Sequence, residues 1–419
     1  MPVEQLHAVM RAPHEAVAGN LAAEQVADVL EAALEPERLA RMQEIIPLSP
    51  LIDVPDAVAG AGWEVFDKND GALPGGSYKL YGPVGKLSLM QARGERVDGV
   101  VVASTGNHAV ETAIAAQAFG IRLAEGYCPT GMAGVKLNQA EAHGMKIDDS
   151  CVTFDDALAA AEARGQDPGM VFIHPFNDPE SFAHHGLSGL SAMQQLEARG
   201  IDPNDPTNVI TYVLPGGGGG YAAANVVALA MYYPNVRVVV SQLKGGDGIA
   251  MARRGEVVDP VKFNYACRGA AVPQPGELAL EIINDARFDI DLVSVDMWEV
   301  YKTQGLLEEY HARPEASGAL AMAAAQRLGA EDAPDDSRRH ILVAATSGVN
   351  SSPEEDADFH AAWLAHQNEL RQQAFGAMSL AYLLRSVYGI EELLARRPQP
   401  ENVTRHVGRI LSAHFPRSF

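Results

Sequence analysis

The run Pro215-Gly216-Gly217-Gly218-Gly219-Gly220 stands between an apolar segment, Val209-Ile210-Thr211-Tyr212-Val213-Leu214, and an alanine-rich one, residues 222–233. A buried strand that passes through five glycines into a helix is a narrow constraint. Without Cβ atoms the loop exposes successive backbone N–H groups, and the helix start adds a favourable dipole, so the junction is built to receive a phosphate. A flexible linker of the same composition would not fall between two apolar elements. Two named phosphate loops do not fit. The run ends Gly-Tyr-Ala where a P-loop needs Gly-Lys-Ser/Thr. A dinucleotide fingerprint fits loosely as Gly217-x-Gly219-x-x-Ala222, but the next strand ends at Ser241-Gln242, without the ribose-binding acid. The phosphate of a small cofactor is the better match.

The same alternation recurs. Val100-Val101-Val102 precedes a helical stretch, 109–119, that closes at Gly120. Residues 236–240 and Ile341-Leu342-Val343-Ala344-Ala345 repeat the strand pattern. Such a chain predicts an α/β protein with mostly parallel open sheets flanked by helices. Its 419 residues suit two domains. Asn20 reads as an N-cap for a helix carrying Leu21, Val26, Val29, Leu30 and Leu34, Pro36 opens a second helix, and Pro47 closes it. This N-terminal piece, 1–47, serves packing or subunit contact. After Ser352, Phe359, Trp363 and Leu370, then Leu380, Leu383, Leu384 and Val387, then Val403, Val407, Ile410 and Leu411 form the apolar faces of three helices.

Two further strand ends carry polar loops. Ala103-Ser104-Thr105-Gly106-Asn107-His108 has more small and polar groups than an N-cap needs, which suits a carboxylate receptor. The third is Thr346-Ser347-Gly348-Val349-Asn350. Ligands of open α/β sheets bind outside the carboxyl ends of the strands, so the three loops should share one crevice. Upstream, Gly75-Gly76-Ser77-Tyr78-Lys79-Leu80-Tyr81-Gly82 sets one lysine among small residues, where shielding from water lowers an amine's pKa and makes it nucleophilic. A phosphate cradle, an amine for an aldehyde and a carboxylate receptor together ask for pyridoxal 5′-phosphate with an amino-acid substrate.

In order and spacing, residues 48–352 resemble the fold type II pyridoxal-phosphate enzymes, and within them the threonine/serine dehydratase branch. Ser49-Pro50-Leu51 resembles the family's Thr-Pro-Leu entry, and Ser77-Tyr78-Lys79 its Ser-Phe-Lys. Ser104-Thr105-Gly106-Asn107-His108 is similar to the substrate-carboxylate loop, and Gly217–Gly220 to the phosphate-binding tetraglycine. Glu315-Ala316-Ser317-Gly318-Ala319 resembles Glu-Pro-Ala/Ser-Gly-Ala, and Ser347-Gly348-Val349-Asn350 resembles Ser-Gly-Gly-Asn. His174-Pro175-Phe176-Asn177-Asp178 matches a further segment, taken as structural. The resemblance implies that Lys79 is the Schiff-base lysine and proton carrier, and that Asn107, Gly216–Gly220, Glu315 and Ser347 hold the cofactor. It implies substrate contacts from Ser77, Tyr81, Ser104, Thr105, Gly106, Asn107, His108, His184 and His185. It implies a large cofactor domain from 48–82 and 182–352, a small substrate domain from 83–181, helical extensions at 1–47 and 353–419, and a homodimer.

Four segments depart from the pattern. Tyr81 replaces an Arg, Ala183-His184-His185-Gly186-Leu187 replaces Ala-Gly-Gln-Gly-Thr, Ser241-Gln242-Leu243 replaces Val-Glu-Pro, and Cys267-Arg268-Gly269 replaces Ala-Asp-Gly. The missing Glu belongs to a segment that ligates a divalent cation in some relatives. Asp247 could still serve, but one carboxylate is poor evidence for a metal, so no metal site is carried over. A histidine of the His184–His185 pair could act on the leaving group. His108 could equally cap its helix.

The net charge of −22 argues against a nucleic-acid partner. The thiols Cys128, Cys151 and Cys267 show no paired spacing, and Cys128 and Cys151 read as buried. No apolar run spans a bilayer and no secretory signal pattern stands at the N-terminus, so a cytoplasmic protein is expected. Residues 353–419 show no βαββαβ regulatory pattern. The expected activity is an ammonia-lyase (dehydratase) making a 2-oxo acid and ammonia from a threonine- or serine-like amino acid. The alternatives are a β-replacement synthase or racemase on the same scaffold, or a cofactor-binding protein without catalysis.

Overall fold

Strands form where the chain carries unbroken apolar runs, because both faces of each sheet are covered. The computed structural model describes residues 13–365 apart from 55–61, 132–133, 260, 309, 311–312, 332–335, 350, 352–354 and 363. Residues 1–358 make one compact unit, with residues 359–419 in a second. In the second unit, 359–362 and 364–365 are helical. The apolar positions expected there at Trp363, Leu370, Leu380, Leu383, Leu384, Val387, Val403, Val407, Ile410 and Leu411 lie outside the described residues, as does Asn350.

The larger sheet has six strands: β1 (Leu51–Val54), β2 (Trp63–Asn69) and, further along the chain, β7 (Asn208–Pro215), β8 (Arg237–Leu243), β9 (Asp291–Val295) and β10 (Arg339–Thr346). Their order is β1-β2-β10-β7-β8-β9, parallel throughout except for the β1–β2 pair. The smaller sheet, with β3 (Gly99–Ala103), β4 (Leu123–Pro129), β5 (Lys146–Cys151) and β6 (Met170–Phe172), is fully parallel in the order β5-β4-β3-β6.

The principal helices are α1 (Leu21–Ala33), α2 (Pro36–Ile45), α3 (Tyr81–Ala92), α4 (Asn107–Ala118), α5 (Val135–Ala142), α6 (Phe154–Arg164), α7 (Gly186–Glu197), α8 (Gly220–Tyr232), α9 (Glu277–Ile283), α10 (Met297–Leu307) and α11 (Ala316–Glu331). Along β10, Leu342 and Ala344 face one core with Ala319, Leu320 and Ala323 of α11, while Ile341, Val343 and Ala345 face the other with residues of α7 and α8. The period of two survives inside a continuous apolar run, as a strand buried on both faces requires. Each buried Val or Leu adds roughly 1.5–3 kcal/mol. Alanines on α8 and α11 let helix backbones lie close to the sheet.

The N-terminal helices pack against this body. Asn20 caps α1, its Oδ1 accepting the Ala23 N–H at 2.9 Å, and its amide donates to Asp285 at 2.8 Å. From α2, the buried Arg38 donates to the Gly85 carbonyl at 3.0 Å and approaches His184. One expectation about the thiols changes: Cys128 is buried, but Cys151 at the end of β5 is only half-buried, because that strand is the edge of its sheet. Among the described residues no helix is long and apolar enough to cross a membrane.

Candidate active site

Four loops leave the carboxyl ends of parallel strands, and the structure brings them together. After β2 the chain turns through Gly75 and Gly76, both at positive φ, and reaches Lys79. The Tyr78 N–H donates to Ser347 Oγ at 3.0 Å, and the Gly76 carbonyl accepts from the Gly348 and Val349 N–H groups at 3.0 and 3.2 Å. The loop after β10 is thereby tied to the lysine turn. Gly318 makes a second close approach: a Cβ there would lie 1.4 Å from the Ser347 carbonyl oxygen, so only glycine lets α11 start against this loop.

Lys79 sits deep in the protein yet stays partly open to solvent, as a side chain at the floor of a cleft does. Burial lowers its pKa to about 8. Its Nζ donates to the Pro175 carbonyl at 2.9 Å. The 174–178 segment, taken from sequence as structural, therefore holds the amine directly. His174 Nδ1 accepts the Phe176 and Asn177 N–H groups at 3.1 and 2.9 Å, which requires a neutral ring; burial lowers its pKa to about 4. Phe176 lies against the glycine loop: a Cβ on Gly218 would come 2.7 Å from its ring, and one on Gly220 2.8 Å from its carbonyl oxygen. Gly217 and Gly219 take positive φ, and the loop leads straight into α8. Gly216 is anchored by its N–H to the Ser241 carbonyl at 2.8 Å.

The loop after β3 opens α4 without a side-chain cap, leaving Ser104 Oγ to accept the Gly106 N–H at 3.1 Å. Thr105, Gly106 and Asn107 are half-buried. Asn107 Nδ2 donates to Glu315 Oε1 at 2.9 Å, while its Oδ1 is buried without a hydrogen-bond partner. Lys136 from α5 closes on the other Glu315 oxygen. Burial still leaves the Glu315 carboxyl above its usual range, although Lys136 draws it down. His108 is buried, its Nε2 2.9 Å from the Ile173 carbonyl, and burial lowers its pKa to about 3, with the Lys79 charge adding to the effect.

The histidine pair divides. The His185 ring stands edge-on to Tyr78 at 5.1 Å and near Tyr221 at 5.9 Å, and feels the Lys79 charge. His184 turns away into the space left by Gly85, between Arg38 and the Ser181 carbonyl. Because the Arg38 guanidinium can only donate, His184 Nε2 accepts and the proton stays on Nδ1. Tyr81 also points elsewhere. It is buried beside a cluster in which Ser49, Ser188 and Tyr221 donate to Asp70 at 2.6, 2.6 and 3.0 Å. The fully buried Lys68 completes that cluster, donating to the Ser49 carbonyl at 2.7 Å. Tyr81 and His184, which the resemblance makes substrate contacts, are thus both buried among these groups. Gln242, standing where the resemblance has an acid, accepts the Ile249 N–H at 2.9 Å and so starts the short helix Gly248–Arg253.

A half-buried amine, a glycine cradle at a helix start and an uncapped helix with polar side chains form one crevice. A family model described as "Pyridoxal-phosphate dependent enzyme" matches residues 43–346. The chain belongs to that family. L-threonine ammonia-lyase of Thermotoga maritima is 32% identical over 268 residues, 63% of this chain and 63% of its own length. The biosynthetic L-threonine dehydratase of Pasteurella multocida is 26% identical over 326 residues, 77% of this chain and 60% of its own. The chain therefore spans less than two thirds of these two relatives. The crystal structure of T.th. threonine deaminase superposes with a TM-score of 0.66 at 25% identity, covering 78% of this chain and 98% of that one. The expected fold class is the one observed.

The donor set fits the family's cofactor: an amine with a lowered pKa for the aldehyde, a Cβ-free loop for the phosphate, and the buried, unpartnered Asn107 Oδ1 as a free polar atom. Sequence reasoning missed three groups around this site. Glu111 stands one helical turn after Asn107 within the mostly small residues of 109–116, which was the available signal. Lys136, a lone lysine on α5, and the Lys68–Asp70 cluster at the end of β2 carried none, since lone lysines and charged strand ends normally read as solvated.

Proposed function

We propose that the chain is a pyridoxal-phosphate-dependent ammonia-lyase that removes the β-hydroxyl of a threonine- or serine-like amino acid and yields a 2-oxo acid and ammonia. The observation that carries it is Lys79: an amine poised near pH 8, on a turn tied to Ser347, at the meeting point of the strand-end loops. The names of the two curated relatives support the same reaction.

When bound, pyridoxal phosphate supplies the electron sink that makes the substrate Cα–H acidic. Gly216–Gly220 receive the phosphate at the start of α8. Asn107, Glu315 and the neutral Ser347 hydroxyl would hold the ring. Ser104, Thr105, Gly106 and Asn107, at the start of α4, bind the substrate carboxylate, with Ser77 and His108 beside them. Lys79 Nζ takes the Cα proton, and its depressed pKa keeps part of the amine unprotonated at neutral pH. The neutral His185 ring donates a hydrogen bond toward the β-hydroxyl. In this reading residues 48–82 and 182–352 carry the cofactor, 83–181 covers the substrate, the enzyme works as a cytoplasmic homodimer, and residues 1–47 and 353–419 are extensions.

The test is direct. Purified protein should be yellow, and borohydride should fix the cofactor to Lys79 and bleach the colour. Threonine, serine or 3-hydroxyaspartate should then yield a 2-oxo acid with the wild type and none with Lys79→Ala. Protein that binds no pyridoxal phosphate, or binds it without forming any 2-oxo acid, would overturn the reading.

A further inference from the structure

Glu111 lies on α4 and is fully buried. Among the described residues no cation pairs with it. Its Oε1 accepts from Ser77 Oγ at 2.9 Å. Its carboxyl fills the place a side chain would take on Gly75: a Cβ there would lie 2.3 Å from Oε2 and 2.6 Å from the carboxyl carbon. Oε2 is buried without a partner. On the other side of this contact, Ser77 Oγ accepts the Lys79 N–H at 3.3 Å. One buried carboxyl thus touches both ends of the turn that presents Lys79.

We propose that Glu111 is a positioning residue: its carboxyl oxygen fixes the Ser77 hydroxyl, and Ser77 fixes the backbone from which Lys79 works. Apolar filler would be the cheaper occupant of a dry site, since an unsatisfied polar group there costs roughly 1–3 kcal/mol. One turn further on, its own helix face continues with the apolar Ile114 and Ala115. Burial holds the Glu111 carboxyl well above the usual range, and the hydrogen bonding of Ser77 draws it back down. Acting through Ser77, it needs no contact with the substrate.

This inference rests on Lys79 being the cofactor-bearing lysine, and borohydride fixation of pyridoxal phosphate on the wild type, mapped to Lys79 by mass spectrometry, checks that point separately. Three variants then decide the role. Glu111→Leu keeps the volume and removes the acceptor. It should cut fixation of the cofactor to Lys79 and lower kcat by about tenfold or more, with KM changed by less than about threefold, which corresponds to one lost hydrogen bond in the positioned state. Glu111→Gln retains a neutral acceptor and should recover both readouts to within about threefold of the wild type. Ser77→Ala removes the same bond from the other side and should reproduce the Leu phenotype, with the double variant no worse than either single one. Equal impairment by Gln and Leu would mean that an acceptor oxygen at this place does not suffice to fix Ser77, and wild-type fixation and kcat in Leu would reduce Glu111 to filler; either result overturns the proposal. Should thermal melting show that the Leu variant does not fold, Ser77→Ala decides alone, and undiminished fixation and kcat in that variant refute it.

Discussion

Replacing Lys79 by methionine keeps the length of the side chain and removes its charge, so the energetic cost of holding an ammonium at the floor of the crevice becomes measurable. Burial lowers this amine from its ordinary 10.5 to about 8. At about 1.4 kcal/mol per pH unit, the cost has a ceiling of about 3 kcal/mol. The sign follows from proton counting. Between pH 8 and 10.5 the unfolded chain keeps the lysine proton while the folded chain has lost it, so wild-type stability rises with pH in that window. The full cost is present below pH 8 and absent above 10.5. Lys79→Met loses the Nζ bond to the Pro175 carbonyl, a debit of about 1 kcal/mol that hardly depends on pH, because a neutral amine can still donate. Urea unfolding of both cofactor-free proteins at intervals from about pH 7 to 10.5 is the assay. The stability of Lys79→Met relative to the wild type should be highest at about pH 7 and fall by about 3 kcal/mol toward pH 10.5. A difference that is flat with pH, or one that grows, would show that Lys79 is an ordinary solvated lysine and would falsify its place at the centre of the site.

Other perturbations follow from close approaches and from the divided histidine pair. Gly218→Ala pushes a methyl to 2.7 Å from the Phe176 ring, so pyridoxal phosphate should bind about tenfold or more weakly in a fluorescence titration; unchanged affinity would clear the glycine loop of a role in phosphate binding. Gly318→Ala places a carbon 1.4 Å from a backbone oxygen that side-chain rotation cannot move. It should cost about 3 kcal/mol or more by urea unfolding, and a near-neutral result would mean that the Ser347 loop yields easily. His184→Ala deprives the buried Arg38 of one of its acceptors and should lower stability by about 2–4 kcal/mol while turnover per folded molecule holds. His185→Ala should instead lower kcat by about tenfold, and equal turnover in the two variants would remove His185 from the reaction.

Much of the frame was legible because it depends on short-range facts. Runs such as Ile341–Ala345 are apolar at every position because two cores claim alternate residues, and the bare glycines after β7 admit few other placements. Boundaries slipped for local reasons. The helix expected from 109 starts at Asn107 because polar residues are tolerated in a first turn, and α8 starts at Gly220 rather than 222 because only a glycine passes the Phe176 carbonyl. His184 and His185 are chemically identical neighbours. The tight turn Ala183–His185 sends one toward Arg38 and the other toward Tyr78, and the helix that supplies Arg38 lies 146 residues away in the chain.

The groups that escaped notice share a cause. Glu111 meets Ser77 across 34 residues, Lys136 meets Glu315 across 179, and Ser188 meets Asp70 across 118. Each contact involves a charged or acidic residue that local reasoning would leave in water, and each is buried by a partner that only the fold supplies. They also cluster. Glu111 holds the lysine turn, the Lys136–Glu315 pair meets Asn107, and the Asp70 charge reaches Tyr78, the residue next to Lys79. Buried ionisable groups are costly in a core selected for stability alone, and a protein tolerates the conflict where chemistry requires it. Two of these failures of local reasoning therefore lead to the Lys79 turn and the third to Asn107, by a route independent of the glycine loop.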